Sequence, residues 1–89
     1  MKFFRSEVAR VLGVTPATIA NREKRGIYPH PTREVNNYRS YDLSDIVELQ
    51  RITFGHPHPQ ELALLLYERG VTDVDEAASL IDKALGRNT

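Results

Sequence analysis

The sequence predicts a small, mainly α-helical domain: two short helices, then a two-stranded hairpin, then two to three further helices. Three observations favour it. The 89-residue chain is 40% hydrophobic, glycines and prolines divide it at regular intervals, and the apolar residues between them recur at helical spacing. At this size a folded chain buries roughly 60 to 65% of the surface of its unfolded form, so a cleft between two domains is not expected. We expect one domain, residues 1–89.

The first two predicted helices are short and are joined by a tight turn. Ser6 is the expected N-cap of the first helix, and Gly13 supplies the left-handed residue that ends it. The dipeptide Thr15-Pro16 opens the second helix with a cap and a proline whose missing N–H costs nothing at that position. This helix is expected to run to about Arg25, before Gly26 stops it. Two helices joined in this way form a helix-turn-helix.

A two-stranded hairpin is predicted over residues 32–41. Pro29 and Pro31 forbid a helix in front of it. Asn36-Asn37 is the expected turn, because asparagine tolerates a positive φ better than any residue except glycine.

Three further helices are predicted after the hairpin. Asp42 and Asp45 resemble a capping box that opens the third, Pro59 begins the fourth, and Thr72 or Asp73 caps the fifth. Apolar residues at helical spacing mark the expected buried faces: Leu43, Ile46, Val47, Leu49 and Ile52 in the third helix, Leu62, Ala63, Leu65, Leu66 and Tyr67 in the fourth, and Val74, Ala77, Ala78, Ile81, Ala84 and Leu85 in the fifth. We expect residues 1–55 to form a core unit and residues 56–89 a C-terminal helical extension, whose last stripe is either core or a dimer seam.

Charge is distributed unevenly although the net charge is zero. Residues 1–41 contain eight Lys and Arg against three acidic residues, and residues 42–89 contain four against nine, so the two halves carry +5 and −5. A basic half joined to an acidic half is typical of a nucleic-acid reader whose remainder faces solvent or a partner. The alternative is chance clustering of surface charge.

The second helix is expected to present one polar stripe to solvent. With Ile19 turned to the core, residues at i, i+3, i+4 and i+7 lie together on the outside: Thr18, Asn21, Arg22 and Arg25. Arginine can bond bidentately to guanine and asparagine to adenine, while Lys24 and the helix N-terminus suit phosphates. The alternative is an ordinary solvated face.

These elements together resemble the MerR-type winged helix-turn-helix family, and especially its short excisionase-like and BldC-like members that lack an effector domain. The resemblance covers about the first 55 residues. It is carried by residues 6–19 (SEVARVLGVTPATI), residues 23–27 (EKRGI), Pro29, Arg33, and residues 38–41 (YRSY), and Asp45, Ile46 and Leu49 continue it.

The resemblance implies that the second helix enters the major groove of DNA and that the hairpin, the wing, lies on the flanking backbone. The groove-facing residues it implies are Thr15, Ala17, Thr18, Asn21 and Arg22. The wing residues it implies are Arg33, Tyr38 and Arg39, with Arg39 on phosphate or in the minor groove and the Tyr38 hydroxyl near phosphate. Tyr41 is expected to pack inward.

The chain also departs from the family pattern. It has Ala20-Asn21-Arg22 where typical members have Arg-Tyr-Tyr, so their base contacts cannot be copied and the target sequence stays open. Effector-sensing members continue into a long dimerising helix and a sensor domain, which this sequence does not show. Together with the absence of cysteine, this argues against a heavy-metal or drug sensor, and no small-molecule effector is expected.

Enzymatic and metal chemistry find no support in the sequence. No nucleophile–base pair, paired-carboxylate arrangement or phosphate-binding glycine loop is recognisable. His56 and His58, with His30, lack a carboxylate or thiol that would complete a metal site, and a proline-rich connector explains that segment better. We expect no catalytic residues, no metal and no cofactor. A mean hydropathy of −0.43 without a long apolar run predicts a cytoplasmic, nucleoid-associated protein that does not cross a membrane.

Three functions remain open. The leading prediction is a bacterial or phage protein that binds a specific double-stranded DNA sequence and regulates transcription. The second is an architectural factor of a mobile element or phage, either an excisionase or a DNA-packaging module. The third is a protein-interaction adaptor. Because one small module buries little area on DNA, a homo-oligomer on DNA or a protein partner is expected, with the contact through the C-terminal helices.

Overall fold

The computed structural model describes residues 1–29 and 40–86 of the chain, and this part is mainly α-helical, as predicted. It contains five helices: α1 (Arg5–Leu12), α2 (Pro16–Lys24), α3 (Leu43–Phe54), α4 (Pro59–Glu68) and α5 (Val74–Ala84). The hairpin predicted at 32–41 lies outside the described residues except for its last two positions. Strand pairing in the described part is a single antiparallel bridge between Phe3 and Tyr41.

The first helix begins at Arg5, two residues earlier than predicted, because Ser6 is not its cap. Phe4 is the capping residue, and its backbone N–H donates to Glu7 Oε1 at 2.8 Å. A glutamate that reaches back in this way satisfies a backbone donor left free at the start of a helix. At the other end Gly13 has a φ of 72° and ends α1 as predicted.

The second helix begins and ends where the sequence predicts. Thr15 caps it, since Thr15 Oγ1 accepts the Thr18 N–H at 3.1 Å. Pro16 occupies the first helical position and Arg25 follows the last. The turn after α2 closes on Arg22, whose carbonyl accepts the backbone N–H groups of Ile27 and Tyr28 at 2.9 and 3.2 Å.

The predicted capping box of α3 is confirmed. Asp42 Oδ1 accepts the Asp45 N–H at 2.9 Å, and Asp45 Oδ2 accepts the Asp42 N–H at 3.1 Å. Ile52, predicted to be buried, is 41% exposed. Gln50 is buried instead. Its side-chain amide is satisfied by bonds to both the N–H and the carbonyl of His58, and these bonds fix the residue that precedes α4.

The last two helices form as predicted, but Tyr67, Val74 and Ala78, which the sequence places on buried faces, are exposed. Pro59 begins α4, and Asp73 caps α5 by accepting the Glu76 N–H at 3.0 Å. Tyr67 is 64% exposed and Val74 is 80% exposed. Leu62, Leu65 and Leu66 take the inward positions of α4, and Tyr67 is turned by about 100° from Leu66, so it points away from the core.

A single hydrophobic core joins all five helices. Val8, Ile19, Ile46, Leu62 and Ile81, one from each helix in turn, are all less than 10% exposed and belong to the same cluster. The division into a core unit at 1–55 and an extension at 56–89 stays a prediction, and α4 contributes to the same core as α1. None of the helices in the described part is long and apolar enough to cross a membrane.

Candidate nucleic-acid interface

The two faces of α2 differ sharply in burial. Ile19 and Glu23, one helical turn apart, are 0% and 1% exposed. Because successive helix residues are turned by about 100°, Asn21 lies opposite the midpoint of this buried pair. Asn21 and Ala17 are exposed, so the outward face of α2 is centred on Asn21.

Seven of the ten site residues predicted from the sequence lie in the described part, along α2 and its two caps. Five are exposed: Thr15, Ala17, Asn21, Lys24 and Arg25. Two are half-buried: Thr18 and Arg22. Arg33, Tyr38 and Arg39 lie outside the described residues. DNA contact by all ten stays a prediction.

The two threonines at the start of α2 bond to each other. Thr15 Oγ1 and Thr18 Oγ1 are 2.9 Å apart, in addition to the capping bond from the Thr18 N–H. These hydroxyls therefore stiffen the first turn of α2, and each retains bonding capacity for an outside group.

Arg22 lies at the margin of the outward face rather than at its centre. Its Nη1 donates to Tyr28 Oη at 2.6 Å, and its guanidinium carbon is 5.4 Å from the centre of the Tyr28 ring. Tyr28 Oη is in turn 2.6 Å from Thr53 Oγ1. Arg22 is thereby linked through a buried tyrosine to the last turn of α3.

A buried hydrogen-bonded group fixes the inward face of α2. Glu23 accepts from Arg5 Nη2 at 2.6 Å and from the Tyr41 hydroxyl at 2.6 Å. Arg5 Nε also donates to Tyr41 Oη at 3.3 Å. Because the backbone of Phe3 pairs with that of Tyr41, this group holds together the start of the chain, α1, α2 and the last residue of the predicted hairpin. Tyr41 packs inward, as expected, with 1% exposure.

The pKa values in this group reflect both burial and pairing. Burial disfavours the charge on Arg5, yet its hydrogen bond to Tyr41 and the negative charge of Glu23 raise the pKa of its guanidinium above the ordinary value. Burial, followed by the hydrogen bond to Glu23, raises the pKa of Tyr41 to about 12. Arg5 is charged and Tyr41 is protonated at neutral pH.

The cations of the basic half divide into paired and unpaired groups. Lys2, Arg5 and Arg10 lie within ion-pair distance of Asp42, Glu23 and Glu68. No carboxylate of residues 1–29 or 40–86 forms an ion pair with any of the three cations of α2 and its C-cap: Arg22, Lys24 and Arg25. Within residues 1–29, 40 and 41 of the basic half, every lysine or arginine without an acidic partner therefore lies in α2 or at its C-cap.

Sequence reasoning missed Glu23 and Tyr28, which hold α2 in place. Glu23 follows Ile19 by four residues, and a carboxylate on the inward face of a helix requires a donor or a cation. That spacing could have identified it. Tyr28 meets Thr53 across 25 positions of sequence, and no local pattern reveals such a contact.

His56 and His58 are not arranged around a shared position where a metal ion could bind. The rings of His56 and His58 are stacked, with centroids 4.6 Å apart and planes at 7°. Among the described residues, no group of three or more His, Cys, Asp or Glu side chains is arranged to hold a metal ion. His30 lies outside the described residues.

A second exposed surface lies between α4 and α5, away from α2. It is a cleft of about 300 Å³ with a mainly apolar lining that includes Ala63, Tyr67, Val71, Val74, Ala77 and Ile81. Tyr67 and Val74 on its rim are 64% and 80% exposed. Asp73 also lines the cleft.

Comparison with known proteins gives two matches. The family described as MerR HTH family regulatory protein matches residues 5–54, more than half of the chain. A curated protein of Synechocystis sp., described as an uncharacterized HTH-type transcriptional regulator, is 38% identical over 63 residues, which are 71% of this chain and 43% of that protein. The chain thus spans less than half the length of this relative. No solved structure matches significantly.

Proposed function

Because the chain belongs to the MerR family of helix-turn-helix regulatory proteins, we propose that it binds a specific double-stranded DNA sequence and regulates transcription. The observation that carries this proposal is the charge on α2. Arg22, Lys24 and Arg25, which have no carboxylate partner among the described residues, border an outward face centred on Asn21. Such a face complements a groove lined by phosphates.

In the proposed complex α2 lies in the major groove. Asn21, at the centre of the exposed face, is suited to a bidentate contact with adenine, and Arg22 to one with guanine. Ala17 allows close approach of the helix or contacts a thymine methyl group. Thr15 and Thr18, with the helix N-terminus, suit the phosphate at the edge of the groove.

The flanking backbone is proposed to be held by two further groups of residues, which supply four cations and one tyrosine hydroxyl. Lys24 and Arg25 lie at the C-terminal end of α2, beyond the groove-facing residues. The family resemblance assigns Arg33, Tyr38 and Arg39 to the wing. The bonds of Glu23 to Arg5 and Tyr41 support this arrangement, because they hold the chain that leaves the predicted wing against the inward face of α2.

Selection of bound fragments from a random double-stranded DNA pool, at two salt concentrations, tests this proposal. The wild-type chain should enrich one motif. Arg22→Ala should weaken specific binding by about 1 to 3 kcal/mol and relax preference at one base position. Arg39→Ala should weaken binding to all sequences and lower the salt slope by about one. Equal effects of both variants on every sequence would contradict the assignment of α2 as the reading helix.

The arrangement of recovered sites also separates the two DNA-binding roles. An inverted repeat indicates a symmetric dimer on an operator. Clustered direct repeats that are bent on binding favour an architectural factor of the excisionase type.

The α4–α5 cleft is the proposed surface for a protein contact. Exposed Tyr67 and Val74 beside an apolar cleft are typical of an interaction site rather than of a solvated helix pair. This surface also supports the adaptor as a second candidate function. An adaptor would bind its partner with an affinity that is insensitive to salt and to changes at Arg22 or Arg39.

Tyr67→Ser tests this contact, with Leu64→Ser as its control. Leu64 is 57% exposed on the same helix but does not line the cleft. Sedimentation of the chain alone and on DNA carrying one or several sites should show association that Tyr67→Ser weakens and Leu64→Ser does not. A wild-type chain that binds every site as an independent monomer would contradict a homo-oligomer.

A further inference from the structure

We propose that Tyr28 and Thr53 are positioning residues that hold the Arg22 guanidinium in its base-reading orientation. The end of α3 then helps to set the base preference of α2. This inference rests on the proposed DNA-binding function and adds to it two residues that make no contact with DNA themselves.

The backbone brings Tyr28 under Arg22. The turn after α2 folds back so that the Tyr28 N–H donates to the Arg22 carbonyl at 3.2 Å. The Tyr28 side chain is 1% exposed, so its ring is fixed in the core and its hydroxyl is almost inaccessible to solvent. Arg22 Nη1 meets that hydroxyl at 2.6 Å.

Thr53 fixes the remaining freedom of the tyrosine hydroxyl. Thr53 Oγ1 lies 2.6 Å from Tyr28 Oη, in the last turn of α3. A guanidinium has donors only, so Tyr28 Oη must accept from Arg22. The Tyr28 hydroxyl hydrogen is then available for donation to Thr53 Oγ1, which extends the hydrogen-bonded chain from Arg22 through Tyr28 to Thr53.

The contact leaves Arg22 able to read a base. One of its five N–H donors is used by Tyr28, and four remain, including the pair needed for a bidentate bond to guanine. A long side chain that is already oriented loses less rotamer freedom on binding. Arg25, which is exposed and has no side-chain partner in the described part, has no such tether. Arg22 and Arg25 lie on the same stripe of α2, but we expect only the Arg22 side chain to be oriented before DNA binds.

Tyr28→Phe and Thr53→Val test the proposal on the enriched DNA sequence and on a variant altered at the Arg22-dependent base pair. Both substitutions keep the shape of the side chain and remove one hydroxyl. We expect Tyr28→Phe to lower the ratio of the two affinities about two- to tenfold, and Thr53→Val to lower it by less. Binding to unrelated DNA and the salt slope should not change. In an Arg22→Ala background Tyr28→Phe should have no further effect on the ratio.

A second measurement does not depend on DNA. The order parameter of the Arg22 Nε–H bond vector, from nitrogen relaxation in the free protein, should exceed that of Arg25 and should fall in Tyr28→Phe. A mere loss of stability would not lower the order parameter of one arginine in the folded state.

Each outcome has a separate meaning. If the order parameters show that the Arg22 side chain is as mobile as that of Arg25 in the free protein, the positioning role is overturned, regardless of the DNA-binding results. If the wild type and Tyr28→Phe discriminate equally well between the two DNAs, the positioning role is overturned and the DNA-binding function stands. A wild-type chain that prefers no DNA sequence overturns the DNA-binding function, and the positioning role with it.

Discussion

Glu23 accepts the hydroxyl hydrogen of Tyr41 at 2.6 Å, and this bond joins the inward face of α2 to the point where the chain returns from the predicted wing. Both side chains are 1% exposed. A buried carboxylate and a buried phenol that satisfy each other leave little freedom for either segment. We therefore expect α2 and the base of the predicted wing to move as one unit.

The first prediction concerns how the free energy of unfolding depends on pH above pH 10. The pKa of Tyr41 is raised from 10 to about 12 in the folded chain, so the unfolded chain loses this proton first. The stabilisation is fully present below pH 10 and is lost as pH rises to about 12; a shift of this size corresponds to roughly 2 to 3 kcal/mol. Denaturant unfolding across this range should show a steeper loss of stability for the wild type than for Tyr41→Phe, and parallel curves would contradict it.

The second prediction compares a buried with a partly exposed carboxylate. Glu23→Gln leaves the Arg5 guanidinium without its charged partner and should lower the free energy of unfolding by about 3 kcal/mol. Glu7→Gln removes the ion pair between Glu7 Oε1 and Arg69 Nη1, which are 2.9 Å apart. This substitution should lower the free energy of unfolding by less than about 1 kcal/mol. Chemical denaturation at neutral pH measures both, and similar losses would show that burial does not set the difference.

The third prediction concerns the salt dependence of DNA binding. Arg25→Ala removes a cation that has no carboxylate partner in residues 1–29 or 40–86, and it should lower the slope of log affinity against log salt by about 0.9. Arg10→Ala is the matched control, because Arg10 is paired with Glu68, and its slope should stay close to that of the wild type. Fluorescence anisotropy titrations at several salt concentrations measure the slopes. A larger change for Arg10 than for Arg25 would place the DNA surface elsewhere.

The fourth prediction concerns truncation. A chain ending at residue 56 keeps the family-matched segment but loses Leu62, Leu65 and Leu66, which are all nearly inaccessible to solvent. It should lack a cooperative unfolding transition, because the core would be open on the α4 side. A chain ending at residue 86 is the control and should unfold cooperatively. Cooperative unfolding of the shorter chain would make residues 1–56 an independent unit.

Much of the fold could be predicted because its signals are local. The Thr15-Pro16 start of α2, the Asp42–Asp45 box and the left-handed Gly13 each depend on residues within a few positions of one another. The sequence predicts Ser6 as the cap of α1 because serine is a common cap, whereas in the structure Glu7 reaches back to Phe4 and the helix begins earlier.

The parts that sequence reasoning did not reach depend on contacts between distant residues. Tyr67 and Val74 fit a helical apolar stripe, and only the packing of α4 and α5 decides that they face outward. The sequence places Arg22 on α2, but it does not reveal the bond from Arg22 to the Tyr28 hydroxyl or the contact of that hydroxyl with Thr53. Helical periodicity predicts on which face of a helix a residue lies, but it does not predict which residues of other segments contact that face.

The pairing of arginines with carboxylates also bears on how the protein would search a genome. Arbitrary DNA retains a protein according to the number of cations that remain available to phosphates. Arg5 and Arg10 are engaged by Glu23 and Glu68, and the whole chain has no net charge. Among the cations in the described part of the basic half, Arg22, Lys24 and Arg25 then remain to hold a single copy on DNA of the wrong sequence, so we expect that copy to leave such sites quickly.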